Sequence, residues 1–267
     1  GWNRFIATDS GGFQVYSLSD LKEISEEGVK FISPFDGSRH FLTPESVIQT
    51  QRSIGSDFVM PLDVCLNLPA ERSAIEAAWM RTKNWARRSR QEFDRFQAEE
   101  SAATEQNLFG IVQGGNIPEI RRESALALQE FDFSGYAIGG LSVGEPAEEM
   151  IELVSATTEH LPQDRPRYLI GVGSPQDIIE CVKRGIDMFD CVLPTRNARN
   201  GKLFTKTGSI NIRNKQYADD PNPIDVDCTC YTCTHFTRSY LRHLAVTKEI
   251  GSSILNSLHN LHFYAEL

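Results

Sequence analysis

The sequence predicts an α/β fold, a (β/α)8 barrel followed by a small C-terminal subdomain. Strand-like and helix-like segments alternate six times between residues 5 and 190, which is typical of parallel strands joined by crossover helices. Each strand-like segment ends in a polar or glycine-rich stretch, as the loops of a barrel rim do. Beyond residue 200 the alternation stops and three cysteines crowd into residues 228–233. A doubly wound open sheet is the alternative that the same alternation allows.

The first elements are indicated by local signals. The apolar run at residues 5–8 is a strand, and Asp9 follows it, just before the glycine pair at residues 11–12, which permits positive φ. Residues 29–42 resemble a β-hairpin around the turn Asp36-Gly37. Thr43 then caps a helix that has proline at its first position.

The later elements repeat one unit, a strand followed by a helix. In order they are a strand at 57–62, a helix at 71–100, a strand at 108–112, a helix at 118–128, a strand at 136–138, a helix at 147–160, a strand at 167–170, a helix at 175–184 and a strand at 187–190. The carboxyl ends of barrel strands share one rim, so residues that follow different strands should converge on one pocket. These are Asp9, Asp63, Gln113, Gly139, Gly140 and Asp190.

Composition bounds the class of protein. At 267 residues, with 40% apolar and 24% charged residues, the chain is typical of a soluble globular protein with one main domain. No apolar run approaches the roughly 20 residues of a membrane span, and no signal peptide opens the chain. Six cysteines without a secretory signal favour a reducing, cytoplasmic setting over a disulfide framework. We expect a barrel core at residues 1–200, and at 201–267 a second subdomain with the closing barrel elements.

Charge is unevenly distributed along the chain. The net charge is −9, yet residues 181–215 hold eight Lys and Arg against two Asp. Asp190 lies in this basic segment, ahead of Arg196, Arg199 and Lys202, which would attract phosphate. A carboxylate is the side chain that attacks the sugar carbon in retaining glycosyl transfer, so we interpret Asp190 as a nucleophile. The alternative is an aspartate that caps the following turn.

The three crowded cysteines predict a metal site. Cys228, Cys230 and Cys233 with His259 would fill a tetrahedral zinc shell, which leaves no open position and therefore indicates structural rather than catalytic zinc. The spacing leaves His243 and His262 open as the fourth ligand, whereas His235 lies too close to the cysteines to close the site easily.

Five motifs together resemble those of the bacterial tRNA-guanine transglycosylases, in order and over nearly the whole chain. They are Thr8-Asp-Ser-Gly-Gly-Phe-Gln14, Gly110-Ile-Val-Gln-Gly-Gly115, Ala137-Ile-Gly-Gly-Leu-Ser-Val-Gly-Glu145, Met188-Phe-Asp-Cys-Val-Leu-Pro-Thr-Arg196 and the Cys228, Cys230, Cys233 and His259 set. The resemblance implies a zinc-bearing (β/α)8 barrel that acts as a homodimer. It also implies exchange of the wobble guanine of certain tRNAs for 7-aminomethyl-7-deazaguanine, on the route to queuosine.

The resemblance also implies residue roles. Asp190 would be the nucleophile toward ribose C1′ and Asp9 the general acid and base. The base would be held by the side chains of Asp63 and Gln113, the backbone at Gly140 and Leu141, and stacking on Phe13, with Val143 and Glu145 beside the incoming aminomethyl group. Arg196, Arg199 and Lys202 would contact the tRNA.

Two positions depart from the family pattern, and both concern base recognition. Val64 stands where relatives commonly have Glu, and Phe13 where Tyr is common. The family also carries a segment ahead of the first motif, so we interpret the chain as N-terminally truncated.

Other classes of function fit less well. A non-catalytic tRNA-binding partner subunit of the same fold is the main alternative, but it would not need both Asp9 and Asp190. An archaeal-type enzyme would carry an additional C-terminal RNA-binding domain. A retaining glycoside hydrolase leaves the cysteine cluster unexplained, and a zinc deaminase requires a catalytic Glu beside its metal.

Overall fold

The computed structural model describes residues 2–18, 22–99 and 106–267, which pack as two compact units. The first unit comprises residues 1–172 and 177–190, and the second comprises residues 173–176 and 191–267. Residues 191–200, which the sequence-based division placed with the barrel, therefore pack within the second unit.

Up to residue 190, the strands and helices of the described chain alternate, apart from three consecutive strands between residues 22 and 42. The strands are β1 (Ala7–Thr8), β2 (Lys22–Ile24), β3 (Val29–Ile32), β4 (Arg39–Leu42), β5 (Phe58–Val59), β6 (Asn107–Val112), β7 (Gly135–Ile138), β8 (Arg167–Leu169) and β9 (Met188–Phe189). The helices up to residue 190 are α1 (Gly12–Leu18), α2 (Pro44–Ile54), α3 (Arg72–Glu99), α4 (Pro118–Leu128), α5 (Ala147–Thr158) and α6 (Pro175–Val182).

Within the described residues, six strands form one parallel sheet in the order β1-β5-β6-β7-β8-β9. The sheet curls into a half-barrel with helices between its strands, which confirms the predicted α/β class. The described residues supply six parallel strands of the eight that a closed (β/α)8 barrel has. The strand order follows the chain order, so all the carboxyl ends lie along one edge of the sheet.

The strand predicted at residues 57–62 is shorter than expected, because β5 ends at Val59. A buried side chain replaces the strand ladder at the next residue. The Gln51 amide accepts a hydrogen bond from Met60 N at 2.9 Å and donates one to Met60 O at 2.7 Å. Pro61 follows and has no N–H to donate. The chain therefore leaves the sheet early and runs as a loop towards Asp63.

A three-stranded antiparallel sheet follows β1 and α1, with the order β2-β3-β4. The hairpin predicted around Asp36-Gly37 is confirmed, with Gly37 at φ +74°, whereas strand β2 was not predicted. We call this three-stranded element the rim sheet. Its inner face packs Ile24, Val29 and Leu42 against Val15 and Trp85.

The core is built on the long helix α3, whose side chains Ile75, Ala78, Trp79, Trp85 and Phe93 are buried. Helix α2 also matches the prediction, because Thr43 accepts a hydrogen bond from Ser46 N at 3.1 Å and proline occupies the first turn.

The second unit is a β-hairpin covered by helices. Its strands are β10 (Lys202–Thr205) and β11 (Gly208–Asn211), and its helices are α7 (Leu193–Arg199), α8 (Tyr231–His235), α9 (Arg238–Val246) and α10 (Ile250–Ala265). Buried Asn260 on α10 joins three segments. Its amide donates to Pro194 O at 2.9 Å and to Lys202 O at 3.1 Å, and it accepts from Phe204 N at 3.1 Å. These bonds tie α7 and β10 to the last helix.

No helix in the part of the chain that the structure describes is long and apolar enough to cross a membrane.

Glycines in the strands leave room for aromatic rings to lie over the parallel sheet. One of these contacts gives a stability prediction. Phe109 of β6 pairs with Gly135 of β7, and a Cβ at Gly135 would lie 2.5 Å from the Phe109 ring. We expect Gly135→Ala to destabilise the protein by roughly 1–3 kcal/mol, because the buried ring has no room to move. Urea unfolding followed by circular dichroism measures this. Gly251→Ala is the control, since its Cβ would meet nothing closer than 3.7 Å and should be neutral or stabilising. Equal midpoints for both variants would contradict the prediction.

Candidate active site and metal-binding cluster

Asp9 follows β1 directly and its carboxylate is exposed at the carboxyl end of that strand. It accepts hydrogen bonds from Ser10 N at 2.7 Å and from Gln14 Nε2 at 2.9 Å. Gly11, at φ +82°, turns the chain into α1, so the helix that carries Gln14 folds back towards the carboxylate. Asp9 is therefore oriented by its own loop and remains accessible to solvent.

Asp63 and Gln113 form a hydrogen-bonded pair on neighbouring strand exits. Gln113 follows β6, is buried, and donates from Nε2 to Asp63 Oδ2 at 2.7 Å. Burial, and after it the negative charge of nearby Asp9, raise the pKa of Asp63 to about 7 against the lowering effect of the hydrogen bond from Gln113. Near neutral pH the Asp63 carboxyl is thus poised between its acid and its ionised form.

The amide of Gln113 lies against the backbone of the two glycines that follow β7. A Cβ at Gly139 would lie 2.7 Å from Gln113 Nε2, and one at Gly140 would collide with Oε1. Gly140 also has φ +64°, which L side chains rarely adopt. Only glycine at both positions lets the side chain of Gln113 approach the backbone so closely.

A buried arginine holds the same glycine backbone from behind. The Arg121 side chain, fully buried on α4, donates to Gly139 O at 3.2 Å, to Gly140 O at 3.0 Å and to Gly115 O at 2.7 Å. Burial lowers the pKa of Arg121 to about 10, while the charge of Glu145 opposes that shift. Arg121 therefore stays cationic at neutral pH and fixes the loops after β6 and β7 together.

The loop after β7 folds around a carboxylate. Glu145 accepts hydrogen bonds from Ser142 N and from Val143 N, the latter at 3.1 Å. Ser142 has φ +58°, while Leu141 is buried and Val143 is half-buried. The carboxylate of Glu145 thus fixes the shape of the loop that carries Leu141 and Val143.

Asp190 follows β9 and is held through one of its two carboxylate oxygens. Its Oδ1 accepts a hydrogen bond from the Tyr168 hydroxyl at 2.7 Å and another from Gly171 N at 2.7 Å. Both donors belong to β8 or to the loop after it. Burial raises the pKa of the Tyr168 hydroxyl, as do its bond to Asp190 and the charges of Asp190 and Asp9, so the phenol stays a donor.

The curl of the sheet brings residues from its two edges into electrostatic range. Strands β1 and β9 are the edge strands, yet the charge of Asp9 acts on both Asp63 and Tyr168, the latter being the residue that holds Asp190. Of the six residues predicted to converge on one pocket, the structure joins Asp63 and Gln113 by a hydrogen bond. The convergence of Asp9, Asp63, Gln113, Gly139, Gly140 and Asp190 stays a prediction. Phe13 lies at the start of α1 with 45% of its surface exposed.

Two residues of this site were not identified from the sequence. Arg121 reads as an ordinary surface charge on an amphipathic helix, and no local signal reveals that it turns inwards. Tyr168 lies in the predicted strand at 167–170. An aromatic side chain with a hydroxyl group so close to the end of a strand was the one available indication that it belongs to the site.

The metal-ligating side chains of the second unit form a single cluster. One potential ligand atom from each of Cys228, Cys230, Cys233 and His259 lies within 4.8 Å of the others. His259 Nδ1 is 3.6 Å from the first two sulfurs and 3.4 Å from the third. Zn–S and Zn–N bonds of ordinary length in a tetrahedron place S and N roughly 3.6 Å apart, so the four groups fit a zinc ion.

His259, rather than His243 or His262, completes the cluster, and its environment explains how. The opposite ring nitrogen, Nε2, donates to Phe204 O at 2.7 Å, which leaves Nδ1 as the acceptor that faces the sulfurs. Burial lowers the pKa of His259 and so favours the neutral imidazole that a metal ligand requires. His262 instead contacts Thr229 Oγ1 at 3.4 Å.

The predicted tRNA-contacting residues lie in the second unit. Arg196 and Arg199 are exposed on α7, and Lys202 is exposed at the start of β10, with its Nζ 5.9 Å from the centre of the Phe204 ring. These three residues make this part of the second unit basic.

A curled parallel sheet with polar side chains along its carboxyl edge, and a Cys3His cluster, define a barrel-type α/β protein with a metal-binding unit. Comparison with known proteins identifies its family. The family model of queuine tRNA-ribosyltransferase matches residues 1–267, and the chain belongs to this family, which confirms the resemblance inferred from the motifs.

Two relatives illustrate the similarity. The chain is 53% identical over 267 residues to the queuine tRNA-ribosyltransferase of Azoarcus sp. (strain BH72), an alignment that spans 100% of this chain and 70% of the relative. It is 52% identical to the queuine tRNA-ribosyltransferase of Francisella tularensis subsp. novicida (strain U112), over 100% of this chain and 71% of the relative.

The raised pKa of Asp63 predicts a pH-dependent stability. The folded value of about 7 exceeds the roughly 3.9 of an unfolded aspartate, so the fold favours the neutral acid. The stability that Asp63 contributes is full below pH of about 4 and falls as the pH rises to about 7. We expect the difference in unfolding free energy between wild type and Asp63→Asn to fall over this pH range, by about 4 kcal/mol at most. Urea titrations at a series of pH values measure the difference, and a pH-independent difference would contradict the assignment.

The cluster geometry predicts a bound metal. We expect Cys230→Ser to lower the zinc content from about one ion per chain towards zero and to destabilise the second unit, because one of four ligands is lost. Mass spectrometry of the metal and thermal unfolding measure both effects. Cys181→Ala is the matched control, since that thiol is also buried but lies outside the cluster. Equal zinc content in the two variants would refute the site.

Proposed function

We propose that this protein is a tRNA-guanine transglycosylase, which replaces guanine at the wobble position of tRNA by 7-aminomethyl-7-deazaguanine in queuosine biosynthesis. Membership of the queuine tRNA-ribosyltransferase family supports the reaction class. The observation that carries the assignment is a pair of exposed carboxylates that follow β1 and β9: Asp9 is oriented by hydrogen bonds from Ser10 and Gln14, and Asp190 by those from Tyr168 and Gly171. Exchange of one base for another with retained configuration requires two displacements, and hence one nucleophile and one proton shuttle.

In the first displacement Asp190 attacks ribose C1′. Tyr168 and Gly171 both donate to Oδ1, so we assign Oδ2 as the attacking oxygen. The new C1′–O bond forms as the C1′–N9 bond to guanine breaks, and the bonding pair moves onto the base. Asp9, in its acid form, supplies the proton that lets guanine leave as a neutral molecule.

The second displacement runs in reverse with the new base. Asp9, now ionised, takes the proton from N9 of the incoming deazaguanine, and that nitrogen attacks C1′. The C1′–O bond breaks, and Asp190 regains its carboxylate charge. The hydrogen bonds from Ser10 N and Gln14 Nε2 orient the Asp9 carboxylate for this step.

The base is held by groups around the Asp63–Gln113 pair. We propose that ionised Asp63 accepts from the N–H donors of the purine edge, while Gln113 and the backbone at Gly140 and Leu141 bond its polar groups. Phe13 stacks on the ring, and its 45% exposure supports a position that a planar ligand can reach. Val143 and Glu145 would face the aminomethyl group, whose cation suits the Glu145 carboxylate.

The nucleic acid is the larger substrate. The target nucleotide must leave its stack to be reached, so phosphate contacts have to hold the neighbouring backbone. We assign this role to Arg196, Arg199 and Lys202, which are exposed and basic. The proposal places the protein in the cytoplasm, where tRNA is modified.

The Cys3His cluster holds zinc as a structural ion in this proposal. Four protein ligands fill the tetrahedral shell, so the ion would stabilise the second unit and take no part in glycosyl transfer. We also propose a homodimer, as the family resemblance implies. Helix α10 supports it, because four large apolar side chains are exposed along one face, namely Ile250, Ile254, Leu258 and Leu261.

The non-catalytic partner subunit remains the competing function. Such a subunit would need neither a carboxylate held by two donors nor a second one oriented by its own loop. Both features are present here in Asp190 and Asp9, and they favour the enzyme.

Loss of the nucleophile tests the proposal. We expect Asp190→Asn to abolish exchange of labelled guanine into tRNA and to abolish the covalent protein–tRNA adduct, because an amide does not displace the base. Denaturing gel electrophoresis measures the adduct, and circular dichroism checks that the fold is retained. Wild-type activity in this variant would refute the assignment.

Tyr168→Phe is the graded control for the same site. It keeps the carboxylate and the Gly171 donor and removes only the phenolic hydroxyl. The adduct should still form, with kcat lowered on the order of tenfold or more and KM for tRNA unchanged, because one hydrogen bond to a carboxylate contributes roughly 1.5 kcal/mol or more.

A further inference from the structure

The outer face of the rim sheet, the antiparallel element β2-β3-β4 defined above, carries a surface that the proposed chemistry does not use. An open concavity on the rim sheet is lined by Phe31 and His40 and, on the outer face, by Lys30, Ile32, Arg39 and Phe41 together with Glu23. An aromatic ring between cations is a combination that nucleic-acid-binding surfaces use.

The strand register places these side chains on one face. Lys30 stands opposite both Phe41 and Glu23, and Ile32 stands opposite Arg39. Directly paired residues and residues two apart project to the same side of a sheet. Phe41 therefore lies between the two cations, and 46% of its surface is exposed.

The opposite face shows where the rim sheet lies in the first unit. Ile24 and Val29 line a cleft together with Gly12, Asp63 and Cys65. The inner side of the rim sheet thus borders the region of the candidate base pocket. The outer side of the rim sheet faces away from that pocket, along the same rim. A nucleic acid that delivers one nucleotide to Asp63 and Asp9 would extend across this rim.

The rim sheet is also firmly attached to the unit. Arg88 on α3 donates to Glu26 O at 2.7 Å and pairs with Glu45 at 2.7 Å. Trp85 donates from its indole to Glu26 O at 2.9 Å, and Arg81 pairs with the Glu26 carboxylate at 2.9 Å. These bonds hold the β2–β3 turn on the long helix, so the outer face is a preformed surface.

Charge favours one kind of ligand. The face carries two cations against one carboxylate on a chain whose net charge is −9, so its sign opposes that of the whole protein. The single carboxylate, Glu23, pairs with Lys30 at 3.3 Å, but both side chains are more than half exposed and the pair is easily exchanged for a phosphate.

We propose that the outer face of the rim sheet is a second contact surface for the tRNA substrate, on the catalytic unit itself. Phe41 stacks on an unpaired base, and Lys30 and Arg39 contact the adjoining phosphates. The inference rests on the proposed function, since it names where the same substrate is held.

Substitution of the face tests the inference. We expect Phe41→Ala to raise the Kd for unmodified tRNA roughly five- to hundredfold, as loss of one base–aromatic stack does. Arg39→Ala should reduce the slope of log Kd against log salt concentration by the amount that about one phosphate contact contributes. Fluorescence anisotropy with labelled tRNA at several salt concentrations measures both. In the exchange assay KM for tRNA should rise while KM for guanine stays unchanged, and Phe41→Tyr should restore the tRNA affinity.

Arg122→Ala is the matched control, because it removes one exposed cation from the same unit on helix α4. Kd values and salt slopes of Phe41→Ala and Arg39→Ala equal to those of this control would overturn the inference. The inference would also be overturned if the variants kept their tRNA affinity but changed in molecular mass, as measured by light scattering. That result would assign the face to a second copy of the chain. Wild-type protein that exchanges no guanine would instead refute the proposed function.

Discussion

Parallel pairing of the strands is the constraint on which the candidate site depends. Because β1, β5, β6, β7, β8 and β9 all run the same way, the residue that follows each strand emerges at the same edge of the sheet. Asp9, Gln113 and Asp190 are far apart along the chain, yet each directly follows a strand, and Asp63 lies in the loop after β5. The curl of the sheet then decides which exits face each other, and it brings the charge of β1's exit to bear on Tyr168 of β8. An open, flat sheet with the same strand order would separate its two edges.

Different surroundings give the three carboxylates different chemistry. Asp63 is partly buried against Gln113, so its pKa rises to about 7. Asp190 receives a hydroxyl and a backbone N–H on one oxygen, and Asp9 receives donors from its own loop. In the proposed mechanism, the partly buried Asp63 recognises the base, whereas the exposed and hydrogen-bonded Asp190 and Asp9 serve in attack and proton transfer. The close fit of Gln113 over two glycines, backed by buried Arg121, keeps the recognition side of the site rigid.

The second unit is organised around one histidine. His259 faces three sulfurs through Nδ1 and the carbonyl of Phe204 through Nε2, so it connects helix α10 to both the cysteine segment and strand β10. Asn260 beside it bonds Pro194, Lys202 and Phe204. The basic residues of α7 and β10 are thereby attached to the same helix as the metal cluster. If the cluster holds zinc as proposed, loss of the ion would loosen that attachment, which would link metal binding to the shape of the basic surface.

Local chemistry in the sequence determined the succession of elements, the cap and proline that start α2, the Asp-Gly turn, and the spacing of the cysteines. These features depend on neighbours a few residues apart, where propensity and backbone geometry are read directly from residue type. The motifs also indicated Asp9, Asp63, Gln113 and Asp190, because each closes a strand-like run.

Tertiary structure alone decided the rest. The end of β5 at Val59 depends on Gln51, the burial of Arg121 depends on three carbonyls from two loops, and the choice of His259 among three histidines depends on Phe204 O. Strand β2 exists because β3 offers it a partner and α3 anchors the turn between them. The hydrogen bonds from Tyr168 to Asp190 and from Gln113 to Asp63 join residues 22 and 50 positions apart. Contacts over such separations are set by how the packed elements meet, and no local pattern of residues encodes that meeting.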